Sequence, residues 1–358
     1  MKYYFHPGMQ GQMPPASPVL PLGQPMGFSS EELQAKWEQK HAKKEVRQVA
    51  TGLGAGMLLI QGIGTVLALL LPFLIDLIFQ GASQNGGVFY DAMEYALYAP
   101  ISLVLSMWLG LKIAKGSFGE VVPYEKCRPF LWFACILFSF FFIFVGNFLG
   151  DIVIILSPHT AENISDIMGE DPITFAELLL QILHVAAIPA LAEELAFRGI
   201  VFGSLRKYGD GFAMVMSSVL FAVLHGNFIQ IPFAFCMGIA LAYTVIRTGS
   251  IVPAIMIHFI NNAMSCFISY FSPEISSVGD GLLFKGLLYG TWAIIGVFGF
   301  LLLQFCFKQK PLDCFQKYEG CLTTGARTGA FFGGAVMIVN LVVYLGTAVL
   351  LAFPLEML

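Results

Sequence analysis

The chain has 358 residues, 57% of them apolar and only 12% charged, with a mean hydropathy of +0.76, whereas soluble domains carry roughly 25% charged residues. That balance points to the bilayer as solvent. A net charge of −4, with the few basic residues confined to short stretches between apolar runs, leaves no basic face to hold nucleic acid and excludes it as a partner. Seven cysteines without a CxxC pair indicate neither a disulfide framework nor a structural zinc site.

Residues 1–45 read as a cytoplasmic tail, and 1–30, rich in Pro, Gln, Gly and Met, as disordered. The tail lacks the short apolar core of a cleaved signal peptide. A helix needs about 20 apolar residues to cross the hydrocarbon core. Candidate spans lie near 49–71, 95–114, 130–156, 174–204, 229–246, 251–271, 282–307 and 327–353. A ninth, 212–226, covers only about 22 Å at 1.5 Å per residue. The expected fold is an all-α polytopic transmembrane bundle of about nine helices. It divides into amino-terminal transmembrane helices (46–173), a helical core (174–271) and carboxyl-terminal transmembrane helices (272–358).

Lys and Arg favour the cytoplasmic side in short loops, so their distribution tests the span list. Lys36, Lys40, Lys43, Lys44 and Arg47 precede the first span; Lys112, Lys115, Lys126 and Arg128 follow the second; Arg206 and Lys207 follow the fourth. Arg247 follows the sixth, and Lys308, Lys310, Lys317 and Arg327 lie between the last two. The alternate segments 79–94, 157–173, 227–228 and 272–281 contain neither residue. An odd number of spans follows, with the amino terminus in the cytoplasm and the carboxyl terminus outside. Asn163-Ile164-Ser165 has the form of a glycosylation sequon, a three-residue pattern that carries no weight by itself.

Ionisable side chains at membrane depth are costly unless paired or facing a wet cavity, so they mark functional sites by default. Three clusters qualify: Glu193-Glu194 with Arg198, His225 after Phe221, and His258 with Asn261-Asn262. On a helix of 100° per residue Glu194 and Arg198 are four apart and lie within about 40° of each other, in ion-pair geometry. Glu193 is turned about 100° away and needs a partner on another helix. A desolvated carboxylate near an imidazole is the arrangement of a general base, which makes Glu193 the candidate. Pro189 should bend the span before the acidic pair. His258 and Asn262, four apart, face one group together. His184, nine positions before Glu193, falls about 180° around the helix and reads as structural, while His6, His41 and His159 sit in loops or the tail.

These residues resemble the signature of the CPBP family of CAAX prenyl proteases and bacteriocin-processing (Abi) proteins, in which a Glu-Glu-x-x-x-Arg, a Phe-x-x-x-His and a His-x-x-x-Asn motif occupy successive membrane helices. Here they are Glu193-Glu194 to Arg198, Phe221 to His225, and His258 to Asn262, all within 174–271. The resemblance implies hydrolysis of a peptide bond in a membrane-associated peptide or protein, in a cavity reached from the cytoplasmic side or laterally from lipid. It implies that Glu193 activates water with help from His225, that His258 and Asn262 stabilise the oxyanion, and that Arg198 orients Glu194. Glu193, His225 and His258 are also the residues that would bind zinc as a His₂Glu set. The absence of a His-Glu-x-x-His spacing weighs against a metal and leaves the question open. Two other readings fit the same residues: a non-catalytic or self-immunity protein on this scaffold, and a proton-coupled transporter using Glu and His as a relay. No inverted repeat of the transporter kind is visible.

The charge pattern sets the expected labelling: single cysteines near 85 or 165 react with an impermeant reagent from outside intact cells, and cysteines near 120 or 318 do not. Outside labelling at 120 would reverse the orientation.

Overall fold

The computed structural model describes residues 30–79, 88–125, 129–157, 174–271, 278–307 and 313–352. The 1–29 tail, His6, Cys127, His159, the Asn163 sequon, Lys126, Arg128, Lys308 and Lys310 lie outside the described residues. Met1–His41 and Ala42–Leu358 are two compact units. In the first, residues 30–41 are helical, and His41 Nδ1–H donates to the Trp37 carbonyl at 3.0 Å.

Among the described residues the regular structure is helical, with one isolated antiparallel bridge between Tyr124 and Ser250. Backbone polar groups in hydrocarbon must be satisfied within their own segment, which selects helices. In chain order α1 is Ser30–Phe79. α2 runs through Val88–Ala99, a π-helical stretch Pro100–Leu105, and Ser106–Ile113. A short α3 (Phe118–Val121) precedes α4 (Pro129–Leu156), and α5 covers Phe175–Tyr208. Then come α6 (Asp210–Leu224), α7 (Gln230–Thr248), α8 (Val252–Phe271), α9 (Val278–Cys306), α10 (Thr324–Phe332) and α11 (Ala335–Ala352).

Eight of these helices are long and apolar enough to cross a membrane, and α6 is the short ninth. The protein is an integral multi-pass membrane protein, and outward-facing residues such as Leu69, Leu77, Ile155 and Leu282 keep apolar surface for lipid. The last expected span is in fact two helices. Gly333 and Gly334 interrupt it, since two adjacent glycines combine poor helix propensity with freedom to turn, and α11 alone makes the crossing.

Small residues set the helix spacing. Gly52 and Gly56 on α1 meet Gly110 on α2, where an added Cβ would come within 2.5 Å of the Gly52 carbonyl oxygen. Such spacing lets two backbones touch where no water drives association.

The four segments that carry Lys and Arg after the second, fourth, sixth and eighth spans gather at one end. Glu125 N–H donates to Gly249 O and Ile251 N–H to Pro123 O, each at 3.0 Å. Asp210 N–H donates to Gln316 O at 3.0 Å, and Gln316 N–H returns a bond to Asp210 Oδ2 at 2.9 Å. The backbone of Val121 rests on Gly203. These contacts fit the alternation of loops that the charge pattern requires.

A turn at Gly209 joins α5 to α6 with φ +98° and ψ 137°, a conformation that L side chains avoid. The turn is fastened by Arg206 Nε–H to Asp210 Oδ1 at 2.8 Å and by Arg327 Nη1–H to the Tyr208 carbonyl. Gly209→Ala should therefore cost about 1–3 kcal/mol, read as a lower melting temperature in detergent. Gly211→Ala, in helical backbone with only an ordinary 3.9 Å contact to Phe315, should be neutral or slightly stabilising. Equal effects of the two substitutions would contradict the turn's role.

Candidate active site

The Gly209 turn sets the depth of the site. Glu193 lies sixteen residues before it and His225 sixteen residues after it, about 24 Å along each helix at 1.5 Å per residue. Phe197 and Phe221, twelve residues to either side, meet edge-on with ring centroids 5.2 Å apart. Short as it is, α6 brings His225 to the level of Glu193 because α5 and α6 are counted from the same turn.

The backbone of α5 is irregular around the acidic pair. Ile182–Ala187 and Leu195–Phe202 are π-helical, and the ordinary helix between them, Ile188–Glu194, begins with Pro189 near its first position. Proline supplies no N–H and crowds the preceding turn, and a widened turn absorbs both demands. Such bulges also occur frequently at functional sites.

Glu194 is fully buried, and its Oε1 accepts from Arg198 Nη1 at 2.9 Å and from His258 Nδ1–H at 2.9 Å. The Arg198 guanidinium lies 4.2 Å from the centroid of Phe221. Among the described residues Arg198 Nε and Nη2 and Glu194 Oε2 are buried without hydrogen-bond partners, so the cation relies there on one carboxylate oxygen and the Phe221 face. Phe221 also touches the rings of His225 (5.0 Å) and His258 (6.0 Å). The spacing of the motifs names Phe221 without revealing this; the contact with Arg198 belongs to the packing of α6 on α5.

Glu193 makes no ion pair with Arg198 among the described residues, as the helical arithmetic leads one to expect. Its Oε2 is buried without a hydrogen bond and lies 3.8 Å from His258 Nε2. The imidazole that faces Glu193 is thus His258 of α8. His225, at the end of α6, donates Nδ1–H to the Phe221 carbonyl at 2.9 Å and makes no bond to Glu193 among the described residues. A carbonyl oxygen only accepts, so the proton of a neutral His225 sits on Nδ1 and Nε2 is left as an acceptor. Asn262 Nδ2 donates to the Val185 carbonyl at 3.0 Å, and Asn262 Oδ1 accepts from Asn261 at 2.9 Å. One amide hydrogen of Asn262 stays uncommitted.

A cavity of about 220 Å³ is lined by Tyr95, His184, Val185, Pro189, Glu193 and Asn262. It extends from Glu193 towards the Phe175 end of α5, away from the Gly209 turn, where Val185 and Leu191 are exposed on the outside of the bundle. His184 lines it, contrary to its expected position on the far side of α5. The π-helical stretch Ile182–Ala187 places an extra residue in a turn, so nine positions behave as about eight and the angle to Glu193 falls to about 80°. A larger groove of about 530 Å³, lined by apolar residues such as Phe259, Phe267 and Phe284, contains none of these groups and faces lipid.

Residues 175–264, the stretch that carries all three motifs, match the family model for Rce1-like type II CAAX prenyl endopeptidases. In this stretch the chain is similar to the CPBP family. Over 210 residues, 55% of this chain and 80% of the other, the protein is 25% identical to the membrane-embedded CAAX protease MroQ of Staphylococcus aureus (strain USA300). It is 37% identical over 93 residues to the UPF0177 protein YxdF of Lactococcus lactis subsp. lactis (strain IL1403), which covers 25% of this chain and 49% of that protein. No solved structure matches the chain.

Among the described residues no three His, Cys, Asp or Glu side chains converge closely enough to hold a metal ion. Glu193 lies 3.8 Å from His258 and makes no bond to His225, so the zinc set of Glu193, His225 and His258 does not converge among the described residues.

Removing one member of a buried ion pair typically costs 3–5 kcal/mol, because the other charge is stranded. Arg198→Ala should therefore lose about that much stability, measured by denaturant unfolding in micelles, and the double variant Glu194→Leu/Arg198→Leu should recover a large part of it. Parental stability in Arg198→Ala would mean that Glu194 does not depend on Arg198.

Proposed function

We propose that this protein is an intramembrane endopeptidase that hydrolyses a peptide bond of a membrane-associated peptide or protein, with Glu193 as the base that activates water. The observation that carries the reading is a carboxylate, Glu193, lining a cavity with polar walls and facing an imidazole whose other nitrogen is fixed by a buried carboxylate. The CPBP-like segment and the similarity to a CAAX protease support the reaction class.

In the proposed reaction Glu193 takes a proton from water as the water oxygen bonds to the scissile carbonyl carbon. The carbonyl electrons move to oxygen, where His258, donating from Nε2 while Nδ1–H stays on Glu194, and the uncommitted Asn262 N–H stabilise the negative charge. His225 shares the activated water through its free Nε2. The proton held by Glu193 then passes to the leaving nitrogen, the C–N bond breaks, and an amine and a carboxylic acid result, the acid then passing its remaining proton to the amine. Arg198 and Glu194 touch neither water nor substrate; they orient His258. The substrate enters laterally from lipid, where the cavity reaches the surface of α5. In this reading the amino terminus lies in the cytoplasm and the carboxyl terminus outside, which the alternation of Lys and Arg between the spans supports.

Comparison of membrane-anchored peptides in cells carrying the parent or Glu193→Ala should show substrates that accumulate uncleaved in the variant. In purified protein Glu193→Gln, which removes charge and basicity at nearly constant shape, abolishes cleavage without loss of folding. His225→Ala is similarly severe. Loss of one oxyanion donor costs about 10²–10³ in rate, so Asn262→Ala keeps measurable activity. Full activity in Glu193→Gln would rule out the base, and chelator inhibition reversed by zinc would recast the same residues as ligands. Substrate transport without cleavage in liposomes would favour the proton-coupled transporter.

A further inference from the structure

The cavity wall opposite the motif residues is not made by the CPBP-like segment alone. Tyr95 belongs to α2, eighty residues before the matched segment, and its helix packs against the first half of α5. There it shares the cavity with Glu193 and Asn262, and its ring lies 6.5 Å from that of His184 in an edge-on arrangement.

Both side chains offer polar groups to the cavity that the fold does not consume. His184 donates Nδ1–H to the Leu180 carbonyl at 2.9 Å; because that oxygen only accepts, a neutral His184 keeps Nε2 as an acceptor. The Tyr95 hydroxyl makes no hydrogen bond among the described residues and is both donor and acceptor. Neither group is needed to cap a helix or close a turn.

A peptide held extended for cleavage inside a membrane has given up its own helical hydrogen bonds and finds no water in hydrocarbon, so its N–H and C=O groups are costly until the protein supplies partners. A donor and an acceptor on one wall meet that need. Among the described residues no Lys or Arg lines the cavity, which makes it a poor site for an anionic headgroup, and an acyl chain would leave the hydroxyl and the imidazole unpaired.

We propose that Tyr95 and His184 form the substrate-binding wall, the Tyr95 hydroxyl donating to a backbone carbonyl and His184 Nε2 accepting a backbone N–H of the unwound peptide beside the scissile bond. The inference rests on the hydrolytic reading above and assigns its substrate contact to α2, outside the matched family segment. Substrate binding then depends on a helix that the motifs do not include.

The test uses purified full-length protein in nanodiscs and an equimolar mixture of quenched fluorescent decapeptides, each with a C-terminal hexadecyl amide. Tyr95→Phe removes one hydroxyl, so KM rises about tenfold, the size expected for one lost hydrogen bond, with kcat within twofold and an unchanged melting temperature. In parallel, p-benzoylphenylalanine at position 95 in a Glu193→Gln background links to peptide on illumination, while the same group at Leu97, which is exposed to lipid, links to lipid. Cleavage by the parent with an unaltered KM in Tyr95→Phe overturns the wall and leaves the hydrolysis standing. Peptide adducts at 95 without cleavage by the parent overturn the hydrolysis and leave the wall. Absence of both removes the two together.

Discussion

A single carboxylate oxygen, Glu194 Oε1, holds together the centre of this molecule. It takes Arg198 from its own helix and His258 from α8, both at 2.9 Å, in a place with no access to water. A charge at membrane depth must be paired, and breaking the pair strands the survivor, so α5 and α8 are tied at this level whatever else varies around them. The consequence for chemistry is orientation. With Nδ1 fixed on Glu194, the His258 ring presents Nε2 to Glu193, and the two adjacent carboxylates take different parts because one helical step turns them about 100° apart.

The rest of the bundle supplies that arrangement with depth and shape. Equal arms from Gly209 set α6 beside α5 so that Phe221 lies over Arg198 and beside both histidines. The glycine crossing of α1 and α2 allows close packing of the amino-terminal helices, and α2 closes the cavity with Tyr95. The π-helical stretches on either side of the acidic pair let one helix carry Pro189, the cavity wall and the buried carboxylate in close succession. The residues outside the matched segment are thus part of the cavity and not merely an anchor for it.

The sequence makes legible whatever depends on neighbours along the chain. Apolar run lengths give the helices, the alternation of Lys and Arg matches loops that meet at one end, and the four-residue spacing of Glu194 and Arg198 gives their ion pair before any packing is known. What depends on packing between helices is hidden. Nothing in the spacing of His258 tells that it faces Glu193 more closely than His225 does, and nothing in α2 marks Tyr95 as a cavity residue. Two expectations fail for local reasons: the uniform 100° step misplaces His184 because Ile182–Ala187 is not an ordinary helix, and an apolar run from 327 to 353 conceals the break at Gly333-Gly334. Hydropathy reports transfer to lipid and is blind to backbone geometry.

The central claim is that Glu193 acts on water and not directly on the peptide carbonyl. A single-turnover cleavage in ¹⁸O water tests it, with enzyme in excess and the new carboxyl terminus analysed by mass spectrometry. Direct attack by water places one ¹⁸O in the product carboxylate during the first turnover and none in the protein. If the first product instead carries ¹⁶O while Glu193 gains ¹⁸O, the carboxylate itself is the nucleophile and the account is contradicted.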